Sequence, residues 1–444
     1  MTLNVRRILS LIFILIFISI TPVIMLYAAG YRLGRNGFSV QRTGMFIIDS
    51  KPRGAKILID GQPQQSWLSA GFRKNNFLTT PAKVKNLLPG DYNLKLELDG
   101  YWGWQKKLAV GPGTSTFAEN IYLFKNAWPL QIASADPKTV SLSLNKNQAV
   151  VFSANKLSLV SLTNETEKSA ARAGLTGKNI SWSSSLNQAV IDGYLYDLND
   201  LSLRLDLKKL SPNSANYKWS GASLYYRDKN SIYRLEAGSD TAQKIISGLT
   251  FDDYLVKNGY LYLIGRTYQA AALKIIDAAS ARTIKEITLP AANYAFLSPE
   301  QTLLNLYDGS HKILYLIDPL AAYQPLVDVI NNLTATYWAS DGNLLYANNF
   351  EIWLYNLANK NKTLITRISD TITGVILHPS KDYIIYSTGH SINAIELDER
   401  EKRNSAELIK FDSIDSWSLS PDGDMIYFSG KIGNAQGLYK FLIQ

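Results

Sequence analysis

The chain has 444 residues, 46% of them hydrophobic, and no cysteine, so packed domains are expected and disulfides, thiolate catalysis and cysteine-ligated metal are excluded. The net charge of +9 sits at one end: residues 1–107 hold 15 basic and 5 acidic side chains, and the remaining 337 hold 31 and 32. A basic segment next to an apolar one suits anionic headgroups or acidic wall polymers and argues against nucleic acid; the plain alternative is a solvated basic surface.

Ile8 to Ala29 contains no charged residue. As a helix it reaches about 33 Å, enough for a hydrocarbon core of about 30 Å. Pro22 is tolerated in such a span. The run exceeds the apolar core of a signal peptide, and a small-x-small cleavage site is missing. Residues 1–29 therefore read as an uncleaved transmembrane anchor. Arginines flank both ends (Arg6 and Arg7; Arg32, Arg35 and Arg42). Long following domains translocate regardless of flanking charge, so the N-terminus is placed in the cytoplasm and the bulk outside. Residues 30–43 read as a polar tether.

Residues 44–124 carry strand signals. Met45 to Asp49 and Ala55 to Ile59 flank the turn Lys51-Pro52-Arg53-Gly54, and Asp60-Gly61 marks a hairpin. Tyr92, Leu94, Leu96 and Leu98 alternate with Asn93, Lys95 and Glu97 between the turns Pro89-Gly90 and Gly100-Tyr101. This pattern predicts a small all-β sandwich. The residues Ser50, Pro52, Gly54, Ala55, Ile59, Asp60, Gly61, Thr80, Pro81, Pro89, Gly90, Tyr92, Gly100 and Tyr101 resemble the PEGA domain, whose pattern runs in the same order. The resemblance covers Gly44 to Leu123. It implies a compact β domain on surface or membrane-anchored bacterial proteins, without catalytic residues. Gln62 to Thr79 is longer than in that family and carries Trp67, Phe72 and Phe77. Trp102 and Trp104 lie two apart, so on one strand they share a face. With Trp67 they form the candidate aromatic surface, for stacking on wall glycans or for packing.

Residues 125–444 repeat. Trp417 to Phe428 reads alternating strand, Ser420-Pro421-Asp422-Gly423 turn, apolar strand. Relatives start near Leu142, Ile180, Tyr217, Tyr254, Tyr294, Tyr337 and Val375, about 40 residues apart, a period of propellers and solenoids. The runs alternate at period two, not at helical spacing, and each unit holds up to four. The unit from Tyr254 is the model case: Tyr254 to Val256, Tyr260 to Ile264, Ala272 to Asp277 and Thr283 to Leu289. A β-propeller follows, with eight blades, or seven if the Leu142 or Tyr217 unit is degenerate. The turn resembles those of Tol-type and WD-type propellers. The last unit offers three strands; Ile121 to Phe124 or Leu130 to Ala133 is expected to complete it.

Chemical motifs are few. His311, His378 and His390 have no metal-ligand spacing, and His378 takes a turn position. Asp422 and Asp424 lack the further oxygens of a calcium loop. No nucleophile elbow or phosphate loop occurs. No cofactor, metal or catalytic residue is assigned. The expectation is a membrane-anchored extracytoplasmic scaffold whose propeller binds a protein, peptide or cell-wall glycan. The alternative is a glycan hydrolase or lyase with carboxylates from different blades meeting at the channel.

Overall fold

A computed structural model describes residues 3–34, 37, 39–65, 77–134, 140–143, 147–153, 156–171, 175–266, 270–297, 303–339 and 342–444. They form two compact units. One comprises Met1–Ala127, Ile395–Leu408 and Ile443–Gln444; the other comprises Trp128–Ala394 and Ile409–Leu442.

The first unit opens with a helix, Leu3–Ala28, containing Pro22. Its large apolar side chains from Val5 to Tyr27 are exposed. Val5–Ala28, 24 residues, is the one helix among the described residues long and apolar enough to cross a membrane. The polar stretch behind it, expected as a tether, holds a hairpin, with Tyr31–Leu33 paired antiparallel to Val40–Arg42. The Arg32 guanidinium lies 3.4 Å from the centre of the Tyr27 ring and ties the hairpin to the helix end.

Next come two sheets packed as a sandwich. One orders Ala82–Leu87, Gly44–Lys51 and Ser115–Tyr122; the other orders Gln62–Pro63, Lys56–Ile59, Gly90–Glu97 and Trp104–Val110. Burial alternates strictly along Gly44–Lys51 and along Trp104–Val110, as a strand with one covered face requires. Phe46, Ile48, Ile57, Leu94, Leu96, Leu108 and Ala118 share the core. The turn residues have local work. Asp60 (φ 49°) and Gly61 (φ 77°) make a left-handed turn. The Asp60 carboxylate also accepts from the Asn93 amide at 2.9 Å. Thr80 Oγ1 sits 2.6 Å from Ser50 Oγ and accepts from the Ala55 amide at 3.1 Å, fastening both ends of the turn between Ser50 and Ala55 to the segment before Ala82–Leu87.

Among the described residues the second unit is built from eight four-stranded sheets. Seven follow chain order, the first three starting at Val140–Leu142, Ile180–Trp182 and Ser214–Ser220, and the fourth at Asp253–Lys257. The fifth, sixth and seventh start at Tyr294–Phe296, Leu333–Trp338 and Gly374–Leu377. In the fourth the remaining strands are Tyr260–Arg266, Ala271–Asp277 and Thr283–Leu289, within a residue or two of the sequence expectation. Simple alternation fails in the second strand of each sheet. Gln188–Ile191 and Tyr383–Ser387 are buried at every position. A neighbouring sheet covers each face, so the strand reads as a continuous apolar run. Fourth strands are the opposite, and Thr283–Leu289 is mostly exposed.

The eighth sheet closes the series. Ser413–Leu419, Met425–Ile432 and Ala435–Leu442 are completed by Leu130–Ser134, which pairs antiparallel with Ala435–Leu442. Of the two strands expected to do this, Leu130 to Ala133 is the one used; Ile121 and Tyr122 belong to the sandwich. The eighth and first sheets then share a core of Val140, Val151, Val160, Leu162, Tyr427 and Leu438. Tyr427 Oη donates to the Leu162 carbonyl at 2.7 Å, and Lys440 pairs with Glu165. At the seam, a Cβ on Gly437 would lie 2.1 Å from the Ala133 carbonyl oxygen. Gly437→Ala is therefore expected to lower stability by about 2 kcal/mol, read as a shift in the urea midpoint. Gly389→Ala is the control, since an added Cβ there meets nothing within 4 Å. Equal midpoints for the two variants would show that the seam is not a stability determinant.

Candidate functional site

Trp102 and Trp104 do not present one open aromatic face. Trp67 lies outside the described residues. Trp102 precedes the strand Trp104–Val110 and is 41% exposed. Trp104 is 4% exposed and its indole Nε1 donates to Glu396 Oε2 at 2.8 Å, so it has no ring face to offer a glycan. Spacing by two sets a shared face only within a strand, and the strand begins at Trp104, so Trp102 is not bound by its parity while Trp104 falls on the covered face.

Trp104 leads to a polar network that linear spacing could not show. Lys106, two residues on, projects to the same covered side with a fully buried side chain. Its ammonium lies 2.5 Å from Glu396 Oε1 and 3.3 Å from Asp398 Oδ2, and donates to the Asp398 carbonyl at 2.8 Å. Asn404 donates twice to Glu396, from its backbone N–H (2.8 Å) and from Nδ2 (2.9 Å). Arg400 forks onto Asp398 and donates to the Phe117 carbonyl at 2.8 Å. Residues 395–408 are thus held by charge and hydrogen bonds to the strands at 104–110 and 115–122. Removing one member of a buried pair strands the other. Lys106→Met is expected to cost about 3–5 kcal/mol in urea unfolding; a loss under about 1 kcal/mol would mean Glu396 is solvated or carried by its other donors.

Asp398 makes this network acid-sensitive. Burial opposes its charge, but the Arg400 hydrogen bonds and the Lys106 charge outweigh burial and bring its pKa down to about 2. A depressed carboxylate stabilises the fold above its unfolded value, about 4, and that contribution is lost as pH falls through about 2. Asp398→Asn is expected to flatten the fall in stability between about pH 4 and 2, measured by urea midpoint against pH. An unchanged slope would exclude Asp398 as a contributor. The side chain is 30% exposed, so the change is modest.

In the second unit, a polar cleft opens between the second and third sheets. Its volume is about 460 Å³. The loop before the second sheet forms one wall. Asp192, 9% exposed, ties that loop down by accepting from the amides of Thr176 (2.6 Å), Gly177 (2.8 Å) and Asn179 (3.2 Å). The other wall is Ser214 to Tyr217, where the Tyr217 hydroxyl donates toward Ser214 and burial raises its pKa. Lys178 and Lys208 are exposed at the rim, Lys208 on the short helix Leu207–Leu210 that Asp206 caps. With Asp192 the lining carries one net positive charge.

Behind this cleft, Asn216 and Lys218 reach the fourth sheet. Lys218 Nζ lies 2.5 Å from Asp253 Oδ1, and Asn216 Nδ2 donates to the same oxygen at 2.8 Å. The Phe296 amide of the fifth sheet donates to Asp253 Oδ2 at 2.9 Å. Burial pushes Lys218 below its usual range against the pull of Asp253. Burial alone would raise Asp253, but the Lys218 charge and three hydrogen bonds hold it below the usual carboxylate range. This pair fastens three sheets together.

His378, taken as a turn residue, does occupy a turn, yet it also does more. It is 3% exposed, and its Nε2 lies 3.3 Å from the Gly423 carbonyl in the eighth sheet's turn. No group of three or more His, Asp or Glu able to hold a metal occurs among the described residues. The cleft residues carry no linear signal: Lys178, Lys208 and Asn216 lie before, after and beyond the second sheet, with no common motif.

No known protein family and no curated protein matches this sequence. Solved structures do resemble it. One described as the eukaryotic initiation factor aligns over 72% of this chain and 90% of that chain, at 11% identity and a TM-score of 0.50. The Pan2 WD40 domain of Neurospora crassa aligns over 69% and 88%, at 8% identity and a TM-score of 0.40. The dihydro-heme d1 dehydrogenase NirN, in complex with DHE, aligns over 69% of each, at 13% identity and a TM-score of 0.48. At these identities the likeness extends to fold alone, a β-propeller.

Proposed function

We propose that this chain is a membrane-anchored binding scaffold of the bacterial cell surface. Val5–Ala28 spans the bilayer, with the N-terminus inside and the bulk of the chain extracytoplasmic. The sandwich is a PEGA-like domain, and the eight four-stranded sheets are the blades of an eight-bladed propeller that captures a protein, peptide or cell-wall polymer. The apolar helix surface supports the anchor, since such a surface is rarely left in water. The Asp60-Gly61 turn and the Ser50–Thr80–Ala55 junction support the PEGA-like reading.

The observation that carries the binding role is the cleft of about 460 Å³ with Lys178 and Lys208 at its rim. Convergent cations and neutral donors in a concavity suit an acidic group on the partner, a carboxylate or a polymer phosphate. Asp253, a partly buried carboxylate on the first strand of the fourth sheet, is spent on Lys218, Asn216 and backbone amides, which favours a structural role for it over carboxylate catalysis.

Pull-down with the detergent-solubilised full chain against membrane extract and soluble wall fragments tests this reading. A defined partner is expected whose recovery drops about tenfold with Lys178→Ala/Lys208→Ala and falls with added salt. Recovery indifferent to the double substitution would remove the cleft from the function. Capture of nothing would leave a spacer.

A further inference from the structure

The sixth sheet holds another cavity, of about 520 Å³, lined by Asn332, Asn348, Asn349, Phe350, Arg367 and Ser369 among others. It forms where the second strand of that sheet, Asn343–Asn348, turns into the third, Glu351–Asn356. Asn349 takes the left-handed turn (φ 55°), which leaves Phe350 at the tip, 45% exposed. Asn332 is also left-handed (φ 55°), so turn chemistry accounts for two of the three amides. It does not account for Asn348, a strand residue whose side chain bonds Glu351 while its buried Oδ1 has no partner.

Arg367 is oriented rather than neutral filler. Its Nε donates to Glu351 Oε1 at 2.8 Å and a second N–H reaches the same oxygen, while Trp353 Nε1 donates to Oε2 at 2.9 Å. Two of its five N–H donors are used there, leaving the rest of the fork for another acceptor. Arg367 and Glu351 cancel in charge, so the lining is electrically neutral, unlike the lysine cleft.

We infer that this cavity is a binding subsite for a neutral saccharide ring. The Phe350 face offers a negative quadrupole to the axial C–H groups of a pyranose. The planar amides of Asn332, Asn348 and Asn349, the Ser369 hydroxyl and the spare Arg367 donors match hydroxyls that both donate and accept. An anionic ligand gains nothing from a neutral lining, and an apolar peptide finds only Phe350 and Ile368 to pack on. The site stands apart from Lys178 and Lys208, and the inference holds whether or not the acidic-partner reading does.

Saturation-transfer NMR on the detergent-solubilised full chain tests it, with tetramers of β-1,4-linked glucose and of β-1,4-linked N-acetylglucosamine as probes. Transfer to the sugar ring protons is expected with at least one tetramer. Phe350→Ala is expected to weaken binding about tenfold, Phe350→Tyr to retain it, and Lys178→Ala/Lys208→Ala to leave it unchanged. No transfer with either tetramer overturns the inference. So does equal transfer with Phe350→Ala, or loss with the lysine variant alone, which would assign the sugar to the other cleft. Phe350 is an exposed turn residue, and circular dichroism of Phe350→Ala checks that its fold is kept.

Discussion

Four backbone pairings between Leu130–Ser134 and Ala435–Leu442 decide whether the sheets of the second unit close on themselves or stay an open arc. Each sheet is covered on both faces by neighbours, which is why second strands such as Tyr383–Ser387 carry no exposed position. An arc of eight would leave two sheets with an uncovered apolar face and an open edge. Closure joins segments about 300 residues apart, so its entropic cost is substantial and falls on one strand. The Tyr427–Leu162 hydrogen bond and the small Gly437 at the crossing are the local adaptations that let it seat.

Within the ring the sheets are fastened in two ways. Apolar faces supply most of the contact, through clusters such as Leu316, Leu333, Leu344 and Tyr346. Polar bonds fix registration. Trp182 donates to Ser141, Trp219 to the Ser181 carbonyl and Trp417 to Ser387, and Asp253 joins three sheets at once. Hydrophobic contact is non-directional, so directional bonds are needed to choose one sliding position. The sandwich unit uses the same logic more severely. Lys106 is removed from water entirely and depends on Glu396 and Asp398 for its charge balance.

Much of the fold was readable because turns are local. Asp60-Gly61 has its left-handed φ values where a hairpin signal stands, and the four strands from Asp253 to Leu289 fall within two residues of the alternating runs. The polar stretch at 30–43 was less readable, since Tyr31–Leu33 and Val40–Arg42 are too short to show a period. The candidate sites were hardly readable. Trp102 and Trp104 stand out by type, yet one is half-exposed and the other is a buried donor. Lys178 and Lys208 look like any solvated lysines until two sheets bring them to one rim.

The sequence alone determined what depends on near neighbours: the apolar helix at the N-terminus, the absence of cysteine chemistry, period-two strands, their turns and their recurrence about every 40 residues. Those features follow from backbone sterics and from the apolar pattern, both legible over a few residues. Only the tertiary structure decided that Leu130–Ser134 is the closing strand, that Lys106 is buried, and that Phe350 stands at the mouth of an amide-lined cavity. Each depends on which faces meet across tens to hundreds of residues, and parity along a strand says which side chains share a face without saying what covers it.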